Sequence, residues 1–305
     1  MRKVIFVAFS DIHLHDWPQY SIAHSRLMDG GLVISRIKHL CNKYKCPALF
    51  IGDLIHNPTS IDNRLLNLTY DWFRTLPECY CISGNHDQCE KNSWDNRSPN
   101  YLQYFSRVHR NIIDMDHKVE SINGIELRGV PYMVDVKSFL KSIPKPKSKK
   151  SILMIHQVLP GAKEPNGYEV ENEMPKDLYK KLNPFGLVLC GHIHKPQKIF
   201  KNTYIVGATN HQRISDMGCK MGCYLIFDDF SIKFIFLGIR EFRNDDCKVS
   251  KGHMHIPKVE EMKMEEALGN YNPNNSELEL AMEYLKTKNI ESKAKERILV
   301  KYLRK

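Results

Sequence analysis

The stretch Val4–His13 reads VIFVAFSDIH, a continuous apolar run that ends in an aspartate and a histidine. Because a strand covered on both faces carries no polar alternation, the run predicts a buried β-strand. No small-residue cleavage site follows it, which argues against a signal peptide. We therefore interpret residues 4–9 as the first strand of a sheet, with Asp11 and His13 just beyond its carboxyl end.

Four further polar patches repeat this arrangement, each directly after a strand-like run. No single patch is specific, but their order and their repeated position at strand ends are hard to obtain by chance. The glycines in several of them allow the sharp turn that delivers a side chain to the edge of a sheet. The patches are Gly52-Asp53, Gly84-Asn85-His86-Asp87, His156, and Gly191-His192-Ile193-His194.

The carboxylate, imidazole and amide side chains of the patches are enough for two divalent metals that share one aspartate. We expect Asp11, His13, Asp53 and His194 to hold one ion, and Asp53, Asn85, His156 and His192 to hold the other. This mixed ligand set suits Mn²⁺, Fe²⁺ or Zn²⁺. Two such ions are the apparatus for hydrolysing a phosphate ester.

His86 remains outside this ligand set, and Asp87 follows it in the chain. A histidine beside a metal ligand can donate to a phosphoryl oxygen or protonate a leaving alkoxide. We expect Asp87 to orient the ring of His86 for that role. The alternative is that His86 is a structural histidine that supports the ligands.

The composition is that of an ordinary soluble globular protein, with 42% hydrophobic and 26% charged residues in 305. No apolar run approaches the roughly 18 residues of a membrane span. The nine cysteines are odd in number and show no paired CxxC spacing, which indicates reduced thiols and a cytoplasmic location, in a cell or in an infected cell. The net charge of +10 favours a polyanionic partner such as nucleic acid, although solubility alone is the plain alternative.

Strand and helix patterns alternate up to about residue 240, which predicts an α/β sandwich with helices outside. We expect helices at Gly31–Lys43, Asn63–Thr75 and Tyr101–Val108. The strands expected are Val4–Phe9, Ala48–Ile51, Cys79–Ser83, Ile125–Val130, Ile152–Ile155, Leu187–Cys190, Tyr204–Val206, Tyr224–Phe227 and Ile232–Leu237.

Two segments differ from this pattern. The lysines at 141, 145, 147, 149 and 150 predict an exposed basic loop that either touches a phosphate backbone or simply connects two elements. Residues 241–305 predict a second, partly helical region, with helices from Ser276 and over Ser292–Leu303 that pack on the main domain or on another protein.

The five patches resemble those of the calcineurin-like metallophosphoesterase superfamily, and the resemblance covers residues 1–240. It implies a two-layered β-sandwich flanked by helices, with a dimetal site at the strand ends. The strings GDLIH at residues 52–56 and GHIHKPQ at 191–197 are more closely similar to the SbcD and Mre-eleven DNA repair nucleases. That likeness gives the histidine at position 56 a role in positioning DNA, and His86 a role in stabilising the transition state.

The finer resemblance also implies Mn²⁺-dependent 3′–5′ exonuclease and single-strand endonuclease activity on DNA. It implies a homodimer formed through helices near Ile61–Thr75 and Pro99–Val108, and an SMC-like ATPase partner of the SbcC type bound by the C-terminal helices. The chain departs from the subfamily in Ala208, where serine is usual, and in the short segment left for a DNA-holding cap.

Two other functions stay open at this point. One is a small-molecule phosphodiesterase or a phosphoprotein phosphatase of the same superfamily, because all of these share the ligand set. The other is a binding or scaffold subunit that keeps a metal site only for structure. His56 and the basic charge favour the nuclease, and the complete ligand set argues against the scaffold.

Overall fold

Twelve strands form two six-stranded mixed sheets in the computed structural model, which describes residues 2–16, 25–57, 59, 61–88 and 100–239. The first sheet contains β1 (Val4–Phe9), β2 (Ala48–Phe50), β3 (Cys79–Cys81), β4 (Ile112–Asp114), β11 (Gly222–Phe227) and β12 (Ile232–Phe236). The second contains β5 (Val119–Ile122), β6 (Ile125–Val130), β7 (Ser151–His156), β8 (Leu187–Gly191), β9 (Gln197–Phe200) and β10 (Thr203–Ile205).

Each sheet contains four parallel strands, with antiparallel pairing at one edge of the first sheet and at both edges of the second. The first runs in the order β12-β11-β1-β2-β3-β4, with β1 to β4 parallel. The second runs β5-β6-β7-β8-β10-β9, with β6, β7, β8 and β10 parallel. Parallel strands present their carboxyl ends at one edge of a sheet, which is where the polar patches were expected to meet.

The helices cover the outer faces of the two sheets. They are α1 (Ser25–Tyr44), α2 (Asn63–Phe73), α3 (Tyr101–Val108), α4 (Val136–Ser142) and α5 (Tyr179–Leu182). One buried apolar cluster joins α1, α2 and α3 to the first sheet, and another joins α4 and α5 to the second. A third, including Leu49, Ile152 and Leu189, fills the space between the sheets. The expected two-layered β-sandwich flanked by helices is confirmed.

Most of the expected elements are present, with small shifts at their ends. The first helix begins at Ser25 and not at Gly31. Gly31 is needed inside it, because an added Cβ atom would lie 2.9 Å from the ring of Trp72 on α2. Among the described residues, no helix has the length and apolar character to cross a membrane.

Five short elements were missed, because runs of three to seven residues carry little periodicity: β4, β5, β9, α4 and α5. A signal for β5 was nevertheless present. Asn123 and Gly124 have φ angles of 51° and 78° and connect β5 to β6 in a two-residue hairpin. Asn-Gly is the preferred pair for this turn, so the hairpin was predictable from sequence.

The lysine-rich stretch is only partly a loop, since Lys141 lies on α4. Lys150 directly precedes β7, whereas His156 is the last residue of that strand. At about 3.3 Å per residue, this stretch ends roughly 20 Å from His156 along β7. The lysines therefore lie at the edge opposite to the polar patches. The expected boundary at residue 240 and both C-terminal helices lie outside the described residues.

Candidate metal centre

The carboxyl ends of β1, β2, β3, β7 and β8 converge at one end of the sandwich. The residues predicted as metal ligands come from loops of both sheets. Asp11, Asp53 and Asn85 follow strands of the first sheet, whereas His156 and His192 belong to the second. The structure brings all the predicted ligand residues together in two adjoining groups.

The first group consists of Asp11, His13 and His194, whose ligand atoms all lie within 4.8 Å of one another. The Nε2 atom of His13 lies 3.7 Å from Asp11 Oδ1 and 3.3 Å from the Nε2 atom of His194. All three side chains are buried. One carboxylate and two imidazoles at this spacing form a donor set suited to a transition metal.

The second group consists of Asp53, His156 and His192, again within 4.8 Å of one another. The Nε2 atom of His156 lies 3.3 Å from Asp53 Oδ2. The amide oxygen of Asn85 lies 2.7 Å from His192 Nδ1, which brings Asn85 to the same group. This matches the second ligand set expected from the sequence.

Asp53 lies between the two groups. Its Oδ2 atom is 3.5 Å from His13 Nε2 and 3.3 Å from His156 Nε2, so one oxygen faces a histidine of each group. Its Oδ1 atom accepts a hydrogen bond of 2.8 Å from the backbone amide of His86, which fixes the carboxylate. This is the geometry required of a carboxylate that bridges two ions.

The donor atoms themselves fit a divalent cation. The Nδ1–H of His156 donates to the Ile51 carbonyl at 2.7 Å, so Nε2 is the ring nitrogen that faces the site. That Nε2 atom is buried, has no hydrogen-bond partner and faces a carboxylate oxygen. A positive charge is needed between Nε2 and this oxygen: the ring proton supplies it in the metal-free protein, and a divalent cation would supply it in the metal-bound protein.

The titration of these groups reflects the same electrostatics. Burial alone would lower the pKa of His156, but the carboxylates of Asp53 and Asp11 outweigh it and raise the pKa to about 9. Burial by itself opposes ionisation of Asp53, yet His156 and His13 hold the pKa of this carboxyl well below its ordinary value. Burial is the main reason that the pKa of His192 falls to about 4. The cluster therefore favours ionised carboxylates with a cation between them.

Asp87 does not have the role that we expected. Its carboxylate accepts hydrogen bonds from the backbone amides of Asp53, Leu54 and Gly84 at 2.7–2.8 Å, and from the hydroxyl of Tyr101. These four donors occupy both of its oxygens. The residue thus joins the loop after β2 to the loop after β3, and the prediction that it orients the ring of His86 is wrong.

His86 is oriented by His56 instead. The Nδ1 atom of His86 lies 2.5 Å from the carbonyl oxygen of His56, and the two ring centroids are 4.8 Å apart. The ring of His13 lies edge-on to His86, with 4.7 Å between centroids. Ring nitrogens of His13, His56 and His86 come within 4.8 Å of one another. Both predicted non-ligand histidines therefore border the first group.

Several residues that support the site were not identified from sequence. The carboxylate of Asp216 lies 3.2 Å from His194 Nδ1, and the ring of Tyr132 stacks on His192 with 5.6 Å between centroids. The hydroxyl of Ser10 lies 2.5 Å from Asp11 Oδ2. Such partners orient the ligands. Two of them had a signal in the sequence: Ser10 is adjacent to a motif, and Asp216 follows the string Tyr204-Ile205-Val206-Gly207, which resembles the same repair nucleases.

The comparisons with known proteins are consistent with this geometry. The family model of the calcineurin-like phosphoesterases matches residues 5–196. No curated protein matches the sequence. Among solved structures, TT1561 of Thermus thermophilus is similar with 15% identity and a TM-score of 0.48, covering 77% of this chain and 99% of that one. The Thermus thermophilus sulfate thiohydrolase SoxB in complex with glycerol has 10% identity and a TM-score of 0.43, covering 76% of this chain and 56% of that one.

The family model spans the strands β1 to β8 and every predicted ligand residue. Members of this family hydrolyse phosphoesters at a dinuclear site for divalent metals, and the two adjoining donor groups around Asp53 provide such a site. On the match and on the geometry together, this chain belongs to the calcineurin-like phosphoesterase family.

Proposed function

We propose that this chain is a Mn²⁺-dependent DNA nuclease, with 3′–5′ exonuclease and single-strand endonuclease activity, in an SbcCD-like complex for DNA repair and recombination. The observation that supports it best is the position of His56. Its carbonyl oxygen lies 2.5 Å from His86 Nδ1, and its ring borders His13 at 5.2 Å between centroids. In the nucleases that the sequence resembles, the histidine at this position positions DNA.

The ligand residues divide into two sets around the shared carboxylate of Asp53. When bound, two divalent ions supply an activated water and offset the negative charge of the phosphate. Mn²⁺ is the metal that we expect, and the donor types also suit Fe²⁺ or Zn²⁺. Asp11, His13, Asp53 and His194 would hold one ion, and Asp53, Asn85, His156 and His192 the other.

His86 would act on the substrate from beside these ions. Hydrogen bonding of Nδ1 to the His56 carbonyl fixes the ring and leaves Nε2 as its second nitrogen. A protonated Nε2 can donate to a phosphoryl oxygen or to the departing alkoxide. His56 therefore has two roles, with its carbonyl orienting His86 and its ring available to the DNA.

The test is cleavage of end-labelled duplex DNA and circular single-stranded DNA by the Mn²⁺-loaded protein. We expect His86→Ala to lose both activities by at least about 100-fold, as is typical for removal of an acid–base group. We expect His56→Ala to lose exonuclease activity and keep endonuclease activity, because its main-chain carbonyl remains. His109→Ala is the matched control, since this histidine lies outside the cluster against Tyr70.

Two experimental results would indicate a different function. Turnover of cyclic nucleotides or phosphopeptides with DNA left intact would identify a small-molecule phosphodiesterase or a phosphoprotein phosphatase. Undiminished biological activity of an Asp53→Ala variant would identify a scaffold subunit. A folded, metal-loaded preparation that cleaves no DNA would refute the nuclease proposal.

We also propose that the chain forms a homodimer through α2 and α3. Tyr104 and Val108 lie four residues apart on α3, on one face, with exposed fractions of 57% and 47%. Apolar side chains exposed together suit a contact between subunits. Light scattering should find a dimer that Val108→Glu converts to a monomer. Val119→Glu, at a similarly exposed valine on β5, should leave it dimeric.

The proposed ATPase partner of the SbcC type would bind residues 276–303, which lie outside the described residues. The support is the amphipathic pattern of the sequence there. Co-purification with such an ATPase should be lost in Ile298→Glu, on the apolar side of the pattern, and kept in Lys301→Ala. Equal retention of both variants would refute the proposal. A cytoplasmic location, with access to DNA, belongs to the same proposal.

A further inference from the structure

The segment 210–216 is attached to loops of both donor groups, although no predicted ligand lies in it. The side chain of Gln212 donates to the carbonyl of Ile12, between Asp11 and His13, at 2.6 Å. The Oδ2 atom of Asp216 accepts from the backbone amides of Gln212 and Arg213 at 2.8 and 2.9 Å. The same carboxylate faces His194 Nδ1. The position of Arg213 is therefore fixed relative to the metal ligands.

Arg213 lines the cavity that contains the donor groups. The cavity walls include His13, Asp53, Asn85, His86, His192 and His194, with Arg213 and Glu164 also part of its lining. The guanidinium is exposed, and within the described part of the chain no carboxylate pairs with it.

An unneutralised guanidinium in the wall of this cavity, on a backbone that is tied to the ligand loops, has a specific chemical use. Its planar fork of N–H donors matches the oxygens of a phosphate, and a bond between two charged groups is roughly twice as strong as a neutral one. Arg213 is a cation of the cavity wall that is not a ligand.

We propose that Arg213 binds a non-bridging phosphate oxygen of the substrate and is the residue that sets affinity for phosphodiester anions. The inference rests on the proposed phosphodiesterase chemistry and deepens it. Glu164 has the opposite charge in the same cavity. Since both side chains act on one anion, their removal must change its binding in opposite directions. This sign difference separates an electrostatic role from a general disturbance of the site.

The experiment measures hydrolysis of bis(p-nitrophenyl) phosphate by the full chain loaded with Mn²⁺. Arg213→Gln should raise KM about tenfold, the worth of one charge-assisted hydrogen bond, with kcat within threefold of the wild type. Arg213→Lys should recover part of the loss. Glu164→Gln should lower KM. Lys145→Gln is the control for removal of a cation far from the cavity, and its KM should equal that of the wild type.

Binding of inorganic phosphate to the Mn²⁺-loaded protein, measured by titration calorimetry, provides a second test that needs no turnover. It should weaken in Arg213→Gln and not in Lys145→Gln. Unchanged KM and phosphate affinity in Arg213→Gln would overturn the proposal, as would weaker binding in both Arg213→Gln and Glu164→Gln. If DNA resists cleavage while the diester is hydrolysed with these changes, the nuclease proposal fails and the role of Arg213 stands.

Discussion

At the scale of single residues, four of the seven predicted ligand residues share an unusual backbone conformation. Asp11, His13, Asp53 and His192 have φ angles of 51°, 48°, 61° and 87°, in the left-handed region that side chains with a Cβ atom disfavour. Each such residue costs on the order of 1–3 kcal/mol and persists only where its surroundings enforce it. The hydrogen bonds of Asp87 to the backbone amides of Asp53, Leu54 and Gly84 are part of that enforcement.

Substitution of Gly84 would test how closely the loops after β2 and β3 must approach each other. A Cβ atom at this position would lie 2.1 Å from Asp53 Oδ1 and 2.7 Å from His156 Cε1. Gly84→Ala must therefore displace the bridging carboxylate, and we expect Mn²⁺-dependent diester hydrolysis to fall by about 100-fold or more. Gly124→Ala is the control: it has no neighbour within 4 Å, so it should cost about 1 kcal/mol through its φ of 78° and leave hydrolysis unchanged. Full activity of Gly84→Ala would refute this account.

Asp116 makes the stability of the metal-free protein depend on pH. Burial, together with the charge of Asp114, raises the pKa of this carboxyl to about 7. Because the folded pKa exceeds the unfolded one, its contribution is fully present below about pH 4 and is lost as pH rises through 7. Relative to Asp116→Asn, the wild type should lose about 2 kcal/mol of unfolding free energy between pH 5 and 8.

Urea denaturation of both proteins across this pH range measures the difference. The asparagine can still accept from the Ser83 amide and bond to its hydroxyl, so the local hydrogen bonds are matched. A difference that stays constant with pH would contradict the raised pKa.

At the scale of elements, the N-terminal caps of α2 and α3 stabilise the helices, and the cap of α3 also bears on the geometry of the metal centre. Asn100 caps α3 by accepting from the Gln103 amide at 2.9 Å, and Asp62 caps α2 by accepting from Leu65 at 2.7 Å. Loss of either cap costs about 1 kcal/mol. Only α3 begins with a residue of the site, Tyr101, whose hydroxyl donates to Asp87.

We therefore expect Asn100→Ala and Asp62→Ala to destabilise the protein by similar amounts, about 1 kcal/mol each in urea. Asn100→Ala should in addition lower diester hydrolysis several-fold, because Tyr101 holds the carboxylate that joins the β2 and β3 loops. Equal activity of the two variants would show that α3 does not position the site.

At the scale of the whole molecule, the donor groups join two sheets. Asp53 comes from the first sheet and His156 from the second, so a bound ion would add a connection between layers that also meet through apolar packing and hydrogen bonds. Since the metal binds the folded state, Mn²⁺ at 100 times its dissociation constant should add about 2.7 kcal/mol to the unfolding free energy. A chelator should remove this increment. Asp53→Asn should lack most of it, whereas His109→Ala should retain it.

The longer buried strands and the candidate ligand residues could be predicted from the sequence alone. A continuous apolar run such as Val4–Phe9 requires cover on both faces, and the carboxyl ends of parallel strands meet at one edge whatever the details of packing. Hence Asp11, Asp53 and His156 could be assigned to one site before their distances were known. Short elements such as α5 were not predicted, since four residues are too few to show a hydrophobic periodicity.

The side chains that hold the candidate ligands in place depend on the tertiary structure and could not be predicted from the sequence. Gln212 reaches Ile12 across 200 residues of sequence, and Asp216 reaches His194 across 22. Asp87 lies beside His86 in the chain, yet its carboxylate binds amides of the β2 loop. The direction of a side chain in a turn depends on φ angles and donors that distant segments supply. The local pattern therefore identified the candidate ligands, and the packing of the two sheets determines their hydrogen-bond partners.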